Sequence, residues 1–283
     1  MEKNGLIQID LQQVLNAKLG IRSRFVPLWL INKLKKIIRQ DELNELLRAN
    51  YPLTGADFCQ GVLDHLDVKV RIHGAEKLPP ITDKRFIAVC NHPLGGLDGM
   101  ALIKTLSDIY GDGIKFVVND MLMAVAPLRG VFLPINKHGS QDRKAISDIN
   151  EALAGDSPVV IFPAGLVSRR GKGGEIRDLA WNKMFINKAA EFNRPILPLY
   201  FSGHNSPFFY KFAQWRKRLG IKLNIEMVCL PGEVFKSRGK TFDVVVGDTI
   251  PWQNIRPGKQ ALENAQEIKD VVYSLAANHS QHF

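Results

Sequence analysis

From Arg85 onward, short apolar runs take turns with amphipathic stretches, and nothing else in the chain narrows the possible folds as far. Runs at 85–90, 114–118, 131–135, 158–162, 195–201, 222–229 and 242–247 have the length and the β-branched or aromatic content of strands. Helical spacing fills the gaps at 97–110, 120–128, 141–154, 176–192 and 207–218. A last helix covers 259–276, where Ala261, Ala265, Ile268, Val272 and Leu275 repeat on one side. Ser206-Pro207 suits a helix start, an N-cap followed by proline in the first turn. Strands separated by helices predict an α/β fold, a mostly parallel sheet flanked by helices. Sites in such folds lie outside the carboxyl ends of the strands.

The first third reads differently. Residues 1–66 are expected to form an N-terminal helical arm, and 67–283 the α/β domain. Phe25 to Ile31 is the most apolar stretch, far short of the roughly 20 residues that span a bilayer. It runs into Asn32-Lys33-Leu34-Lys35-Lys36-Ile37-Ile38-Arg39, with Leu30, Leu34, Ile37 and Ile38 on one face and the basic residues off it. With Trp29 at the border, this is the composition of a helix lying on an anionic membrane surface. Further helices are expected over 41–48 and from Thr54 to about Leu66, then a strand over 68–72, with Pro79-Pro80 as a break. Met1 to Asp10 carries both charges and lacks the apolar core of a secretory signal.

Charge narrows the partners. In 283 residues, 38 Lys and Arg face 28 Asp and Glu, a net +10 that calls for an anionic partner. No recognisable nucleic-acid-binding module accompanies the charge, so nucleic acid is not expected. A membrane surface or an acidic carrier protein remains. Phe208-Phe209-Tyr210-Lys211-Phe212 through Trp215-Arg216-Lys217-Arg218 mixes aromatics with cations, which suits core packing, a membrane interface or an acyl groove. Cys59, Cys90 and Cys229 are far apart and form no disulfide framework, as expected in a reducing compartment. No His, Cys and Asp cluster has metal-ligand spacing, so no metal and no bound cofactor are expected. His73, His138 and His204 are isolated.

Two segments carry chemistry. Ile87-Ala88-Val89-Cys90-Asn91-His92-Pro93-Leu94-Gly95-Gly96-Leu97-Asp98 is a strand running into a glycine turn and a helix. Histidine can take a proton near neutral pH, and a carboxylate beside it can fix its tautomer. His92 and Asp98 therefore read as a general base and its orienting partner. Val159-Val160-Ile161-Phe162-Pro163-Ala164-Gly165-Leu166-Val167-Ser168-Arg169-Arg170 repeats the strand-to-turn form and ends in two arginines. Planar guanidinium groups suit the bidentate binding of phosphate or carboxylate. Cys90, at the end of a buried strand, reads as a core residue.

In this order and spacing, the segments resemble the glycerolipid acyltransferase family, whose members include the bacterial 1-acylglycerol-3-phosphate acyltransferases and the lyso-ornithine and lyso-glycine lipid O-acyltransferases, so that lysophosphatidic acid and a lyso-aminolipid are the acceptors it implies. The family's first block, Asn-His, four residues, then Asp, is similar to Asn91-His92 and Asp98. Its second, an apolar strand led by Gly, is similar to Gly130-Val131-Phe132-Leu133-Pro134-Ile135-Asn136-Lys137. Its third, Phe-Pro-Glu-Gly and a hydroxyl or basic residue, is similar to Phe162-Pro163-Ala164-Gly165 and Ser168. Its fourth resembles Pro195-Ile196-Leu197-Pro198-Leu199-Tyr200. The blocks span roughly 85–200. Five residues rather than four separate His92 from Asp98, beside Gly95-Gly96, whose permissive backbone can absorb the extra one. Ala164 and Val167 replace a usual Glu and Arg, with Arg169 and Arg170 following instead.

The resemblance implies transfer of a fatty acyl group from an acyl thioester, on acyl carrier protein or coenzyme A, to a lyso-lipid hydroxyl. It implies a peripheral enzyme at the cytoplasmic face of the inner membrane. His92 and Asp98 would be catalytic. Asn91, Gly95, Gly96, Lys137, Gly165, Ser168, Arg169 and Arg170 would bind substrate, with Lys172 and Arg177 near the head group. Backbone N–H groups of Gly95-Gly96 would hold the oxyanion. A lipid or thioester hydrolase could use the same pair, but no Gly-x-Ser-x-Gly elbow supplies its nucleophile. A non-catalytic lipid-binding relative is the other alternative, and the joint presence of His92 and Asp98 counts against it.

Overall fold

The computed structural model describes residues 2–3, 6–7, 10–12, 27–135 and 143–280. Asn136, Lys137 and His138 lie outside the described residues. Among the described residues, Glu2–Lys3 pairs with Leu6–Ile7 in a short antiparallel ribbon, and nine further strands and nine α-helices of six residues or more make up the body of the fold. Helices α1 (Leu28–Ile38), α2 (Gln40–Ala49) and α3 (Gly55–His65) come first, followed by strands β1 (Lys69–His73) and β2 (Ile87–Cys90). Then come α4 (Gly96–Tyr110), β3 (Lys115–Asn119), β4 (Phe132–Ile135), α5 (Arg143–Ala154) and β5 (Val159–Ile161). A hairpin of β6 (Arg169–Arg170) and β7 (Ile176–Arg177) precedes α6 (Met184–Glu191), β8 (Ile196–Phe201) and α7 (Pro207–Arg218). The chain ends with α8 (Leu230–Phe235), β9 (Thr241–Val246) and α9 (Ala261–Ser280).

Seven strands form one sheet in the order β1-β9-β8-β2-β5-β3-β4. Every pairing is parallel except β8 with β9. The mostly parallel sheet expected from the alternation is therefore the fold. Both faces are covered, and the strand period of two divides the core. Ala88, Cys90, Phe116, Val160, Leu197 and Leu199 face α2, α3 and α4. Ile87, Val89, Val117, Val159, Ile161 and Ile196 face α5, α6 and α9. Burial on both sides is why these strands are continuously apolar in sequence. The first core takes in Leu46, Leu47, Phe58, Val62 and Leu66, so it runs without a break across residue 66.

Arg194 supports the far end of the sheet. It is fully buried, and its guanidinium donates to the carbonyls of Leu153 (2.8 Å) and Ser157 (2.7 Å) just past α5. Cations there satisfy helix-end carbonyls and complement the helix dipole.

Three sequence expectations change. Residues 222–229 are not a strand, since Ile225–Cys229 is a 3₁₀ helix leading into α8. The apolar–polar alternation there reflects Glu226 turning inward between two arginines rather than a pleat. The helix expected over 176–192 begins at Met184, and its first part is β7, paired with β6 across a glycine turn. In place of a helix over 120–128 stand two short 3₁₀ turns, Asp120–Ala124 and Ala126–Leu128. The Ser206 cap is present, its hydroxyl accepting from the Phe209 N–H.

Candidate active site

The chain leaves β2 toward β3 on one side and leaves β5 toward β8 on the other. Loops that diverge from neighbouring parallel strands open a crevice at their carboxyl ends. Residues 91–95 after β2 and 162–168 after β5 meet in that crevice. The His92 imidazole stacks on Phe162, ring centroids 4.2 Å apart. The Ser168 N–H donates to the His92 carbonyl at 2.8 Å, tying the two loops by their backbones.

His92 Nδ1 lies 3.1 Å from Asp98 Oδ2. The aspartate is fully buried, while the histidine side chain keeps a 16% exposed edge. Asp98 sits in the first turn of α4, and its Oδ2 also accepts from the N–H groups of Leu94 (2.9 Å) and Gly95 (3.2 Å). Its Oδ1 accepts from the Gly99 N–H at 2.8 Å. A carboxylate at this position closes the helix start and complements the positive end of the helix dipole. The longer His-to-Asp spacing is absorbed at Gly95, where φ is +94°. A Cβ there would also press on Val167 and Leu230, at 3.0 and 3.1 Å. Glycine is therefore required twice over at this turn.

A histidine whose Nδ1 is held by a buried carboxylate is an arrangement suited to acid–base work through Nε2. The Gly95 N–H does not serve as an oxyanion donor, because it is held by Asp98. Gly96 opens α4 and is exposed, in the turn whose N–H groups have no acceptor within the helix.

The other predicted residues separate. Asn91 is buried, its amide both donating to the Phe201 carbonyl (2.9 Å) and accepting from the Phe201 N–H (2.7 Å). It staples β2 to the end of β8, in place of the predicted substrate contact. Ser168 is likewise buried, and its hydroxyl donates to Asp178 Oδ1 at 2.6 Å. Gly165 holds the turn after Phe162 with φ +60°.

The two arginines part company. Arg169 pairs with buried Glu226 at 2.8 Å, and Arg216 reaches the other carboxylate oxygen at 2.8 Å. Burial lowers the Arg169 pKa from its ordinary value, and Glu226 offsets part of that. Arg169 thus completes an internal ion cluster. Arg170 lies over the Tyr210 ring, 5.6 Å from its centroid, and forms no ion pair among the described residues. Its Nε is buried without a hydrogen-bond partner there. Arg177 is held by Asp270 at 3.1 Å and stacks on Tyr273.

A residue that sequence reasoning missed organises the floor of the site. Asp178 is buried, and its Oδ1 accepts from the His92 N–H (3.2 Å) and the Ser168 hydroxyl (2.6 Å). Its Oδ2 accepts from Trp181 Nε1 at 2.9 Å. Its own N–H donates to the Tyr273 hydroxyl (2.7 Å), and Lys269 Nζ donates to its carbonyl (2.8 Å). Burial first and Asp178 second push the Tyr273 pKa well up, so the phenol stays neutral. A lone Asp in a polar stretch gives no pattern by which to find it. Cys90 is buried, and burial pushes its thiol well above the ordinary range, in keeping with a core role. Among the described residues no cluster of His, Cys, Asp and Glu could hold a metal.

Several known proteins are similar to this chain. Lyso-glycine lipid O-acyltransferase of Phocaeicola vulgatus is 42% identical over 275 residues, covering 97% of this chain and 98% of the relative. The protein of that name from Bacteroides thetaiotaomicron is 40% identical, covering 97% and 100%. Among solved structures, the 1-acyl-sn-glycerophosphate (LPA) acyltransferase PlsC of Thermotoga maritima aligns over 94% of this chain and 98% of that one, with TM-score 0.47 and 17% identity. The model of the acyltransferase family matches residues 13–279. Since that match takes in the helical segments, the His92 loop and the Arg170 hairpin alike, the chain belongs to the acyltransferase family and is an enzyme of acyl transfer.

Proposed function

We propose that this enzyme transfers a fatty acyl group from an acyl thioester to the hydroxyl of a lyso-glycine lipid, as a step in membrane lipid synthesis. The observation that carries the reading is the His92–Asp98 pair at the carboxyl end of β2. His92 Nε2 takes the proton of the acceptor hydroxyl as its oxygen attacks the thioester carbon. The carbon–sulfur bond of the resulting tetrahedral intermediate then breaks, and the imidazolium gives the proton to the departing thiolate, which leaves as the thiol. Asp98 favours the charged ring throughout. Acyl carrier protein or coenzyme A carries the acyl group. The acceptor's head group is supported by the relatives' names and by Arg170, a cation without a carboxylate partner among the described residues, which suits the single carboxylate of a glycine lipid. The enzyme works as a peripheral protein at the cytoplasmic face of the inner membrane. No helix of the described residues is long and apolar enough to cross a membrane.

The test is to incubate purified enzyme with labelled acyl-carrier protein or acyl-coenzyme A and, in turn, lyso-glycine, lyso-ornithine and lysophosphatidic acid lipids. Transfer to the lyso-glycine lipid is expected to dominate, and His92→Ala should lower it by roughly 10²–10⁴-fold in a folded protein. Release of free fatty acid alone would make the enzyme a hydrolase. Preference for lysophosphatidic acid would overturn the acceptor, and near-normal turnover by a folded His92→Ala protein the mechanism.

A further inference from the structure

Helix α7 is inside out on its solvent side. Its buried side is Phe209, Tyr210 and Ala213. Phe208, Trp215 and Leu219, at i, i+7 and i+11, line up on the opposite side, and Phe212 between them is half-buried against the small core of Val167, Phe209 and Tyr210. Phe208, Trp215 and Leu219 are each more than half exposed, and Leu223 in the following turn is 75% exposed. Three of these rings stack in file, Phe208 on Phe212 with centroids 5.9 Å apart and Phe212 on Trp215 at 6.0 Å. A line of large apolar side chains on a surface helix marks a contact with something outside the chain.

Charge identifies that something. Lys211, Arg218 and Lys222 are exposed beside the line. No Asp or Glu occurs between Asn193 and Ile225. The next carboxylate, Glu226, is fully buried between Arg169 and Arg216. Aromatic rings bordered by Lys and Arg suit the boundary between acyl chains and anionic head groups. A protein partner would need about one hydrogen bond per 100–200 Å² of interface, and the line's own side chains offer only the Trp215 indole N–H.

We propose that the outer face of α7, with the turn through Leu223, docks on an anionic lipid bilayer. Phe208, Trp215 and Leu219 enter the interface, and Lys211, Arg218 and Lys222 meet lipid phosphates. The inner face of the same helix lies under the hairpin that follows Ser168. Arg169 stacks on Phe209 and Arg170 on Tyr210. The docked bilayer is therefore separated from the arginine proposed to hold the acceptor by the thickness of this one helix, about 10 Å. The surface does not depend on which acceptor is used.

The full-length protein is sedimented with vesicles of phosphatidylcholine alone and of phosphatidylcholine with phosphatidylglycerol. Binding is expected only to the second, and it should weaken as salt rises. Trp215→Ala with Leu219→Ala, and separately Lys211→Glu with Arg218→Glu and Lys222→Glu, should each reduce partition at least tenfold. Both should keep the thermal transition and the turnover of detergent-dispersed acceptor, so failure here is distinct from failure of the acyl-transfer reading. The proposal is overturned if the wild type ignores anionic vesicles or if both variants bind them as the wild type does. It is equally overturned if the variants keep vesicle binding and lose acyl carrier protein instead, which would assign the face to a protein.

Discussion

Asp98 and Asp178 hold His92 from opposite ends, and their substitutions should fail differently. Asp98 meets the ring, and with two oxygens it also accepts three N–H groups at the start of α4. Asp178 meets the backbone N–H of His92 and never the imidazole in the contacts described above. An amide at position 98 keeps the shape but replaces one acceptor with a donor, so the ring loses its tautomer partner. We expect Asp98→Asn to lower kcat by on the order of 10³–10⁴-fold with KM little changed. An amide at 178 leaves the His92 tautomer alone and loosens the loop that carries it, and displacements near 1 Å cost about 10²-fold in rate. Asp178→Asn should therefore lower kcat by about 10²-fold with KM nearly constant. Steady-state kinetics with a melting curve for each variant checks both. Should Asp178→Asn lose thermal stability and keep its kcat, the residue is a fold element and no more.

Elements read from sequence as well as their environments allow. The sheet strands were legible because burial on both faces makes them continuous apolar runs, and the His92–Asp98 pair because strand, glycine turn and helix follow one another. Residues 222–229 misled because Leu223, Ile225 and Met227 alternate with polar neighbours as a strand would, whereas the inward turn of Glu226 answers arginines that lie far off in sequence. The β6–β7 hairpin was hidden by the helical spacing beyond it, although Gly171-Lys172-Gly173-Gly174 between its strands is a turn signal. Asn91, Ser168 and Arg169 read as substrate ligands in the sequence because their inward partners, Phe201, Asp178 and Glu226, cannot be paired with them from one sequence. Helix α1 divides its apolar residues between core and solvent. Ile31 and Ile38 are buried against the protein, while Leu28 and Trp29 stand exposed. Lys33 and Lys36 are exposed, and Lys35 lies 3.9 Å from Asp10. Cations near an anionic bilayer contribute about 1 kcal/mol each. Lys33→Glu with Lys35→Glu and Lys36→Glu should weaken sedimentation with anionic vesicles while sparing activity on detergent-dispersed acceptor. If the triple variant sediments unchanged, α1 serves packing and membrane contact rests with α7.

At the scale of the whole molecule, the buried cluster Arg169–Glu226–Arg216 joins parts that the sheet alone does not connect. Arg169 follows the segment bonded to His92, Arg216 belongs to the helix proposed to meet lipid, and Glu226 lies in the 3₁₀ turn that leads to α8. Val167, Phe209, Tyr210 and Cys229 form a small core around it, with Ile37 of α1 packed alongside. Gly232 of α8 approaches α1 so closely that a Cβ would stand 2.2 Å from the Ile37 carbonyl oxygen, which keeps this corner tight. Buried ion clusters are poor sources of net stability, because desolvation cancels much of the attraction, yet removing one member leaves the others exposed to the full cost. Glu226→Gln leaves two guanidinium groups facing each other with no carboxylate between them, at an expected cost of about 3–5 kcal/mol. At roughly 2–4 °C per kcal/mol for a chain near this size, the melting temperature should fall by on the order of 10 °C. Replacing all three residues with Met should restore most of that loss, since no charge is then left buried alone. The two variants separate stability from geometry. If the Met triple variant melts like the wild type yet turns over acceptor more slowly, the cluster's role is to hold the His92 segment in register with α7. If Glu226→Gln melts within 2 °C of the wild type, the cluster holds neither stability nor register, and the small core around Val167 and Phe209 carries that corner unaided.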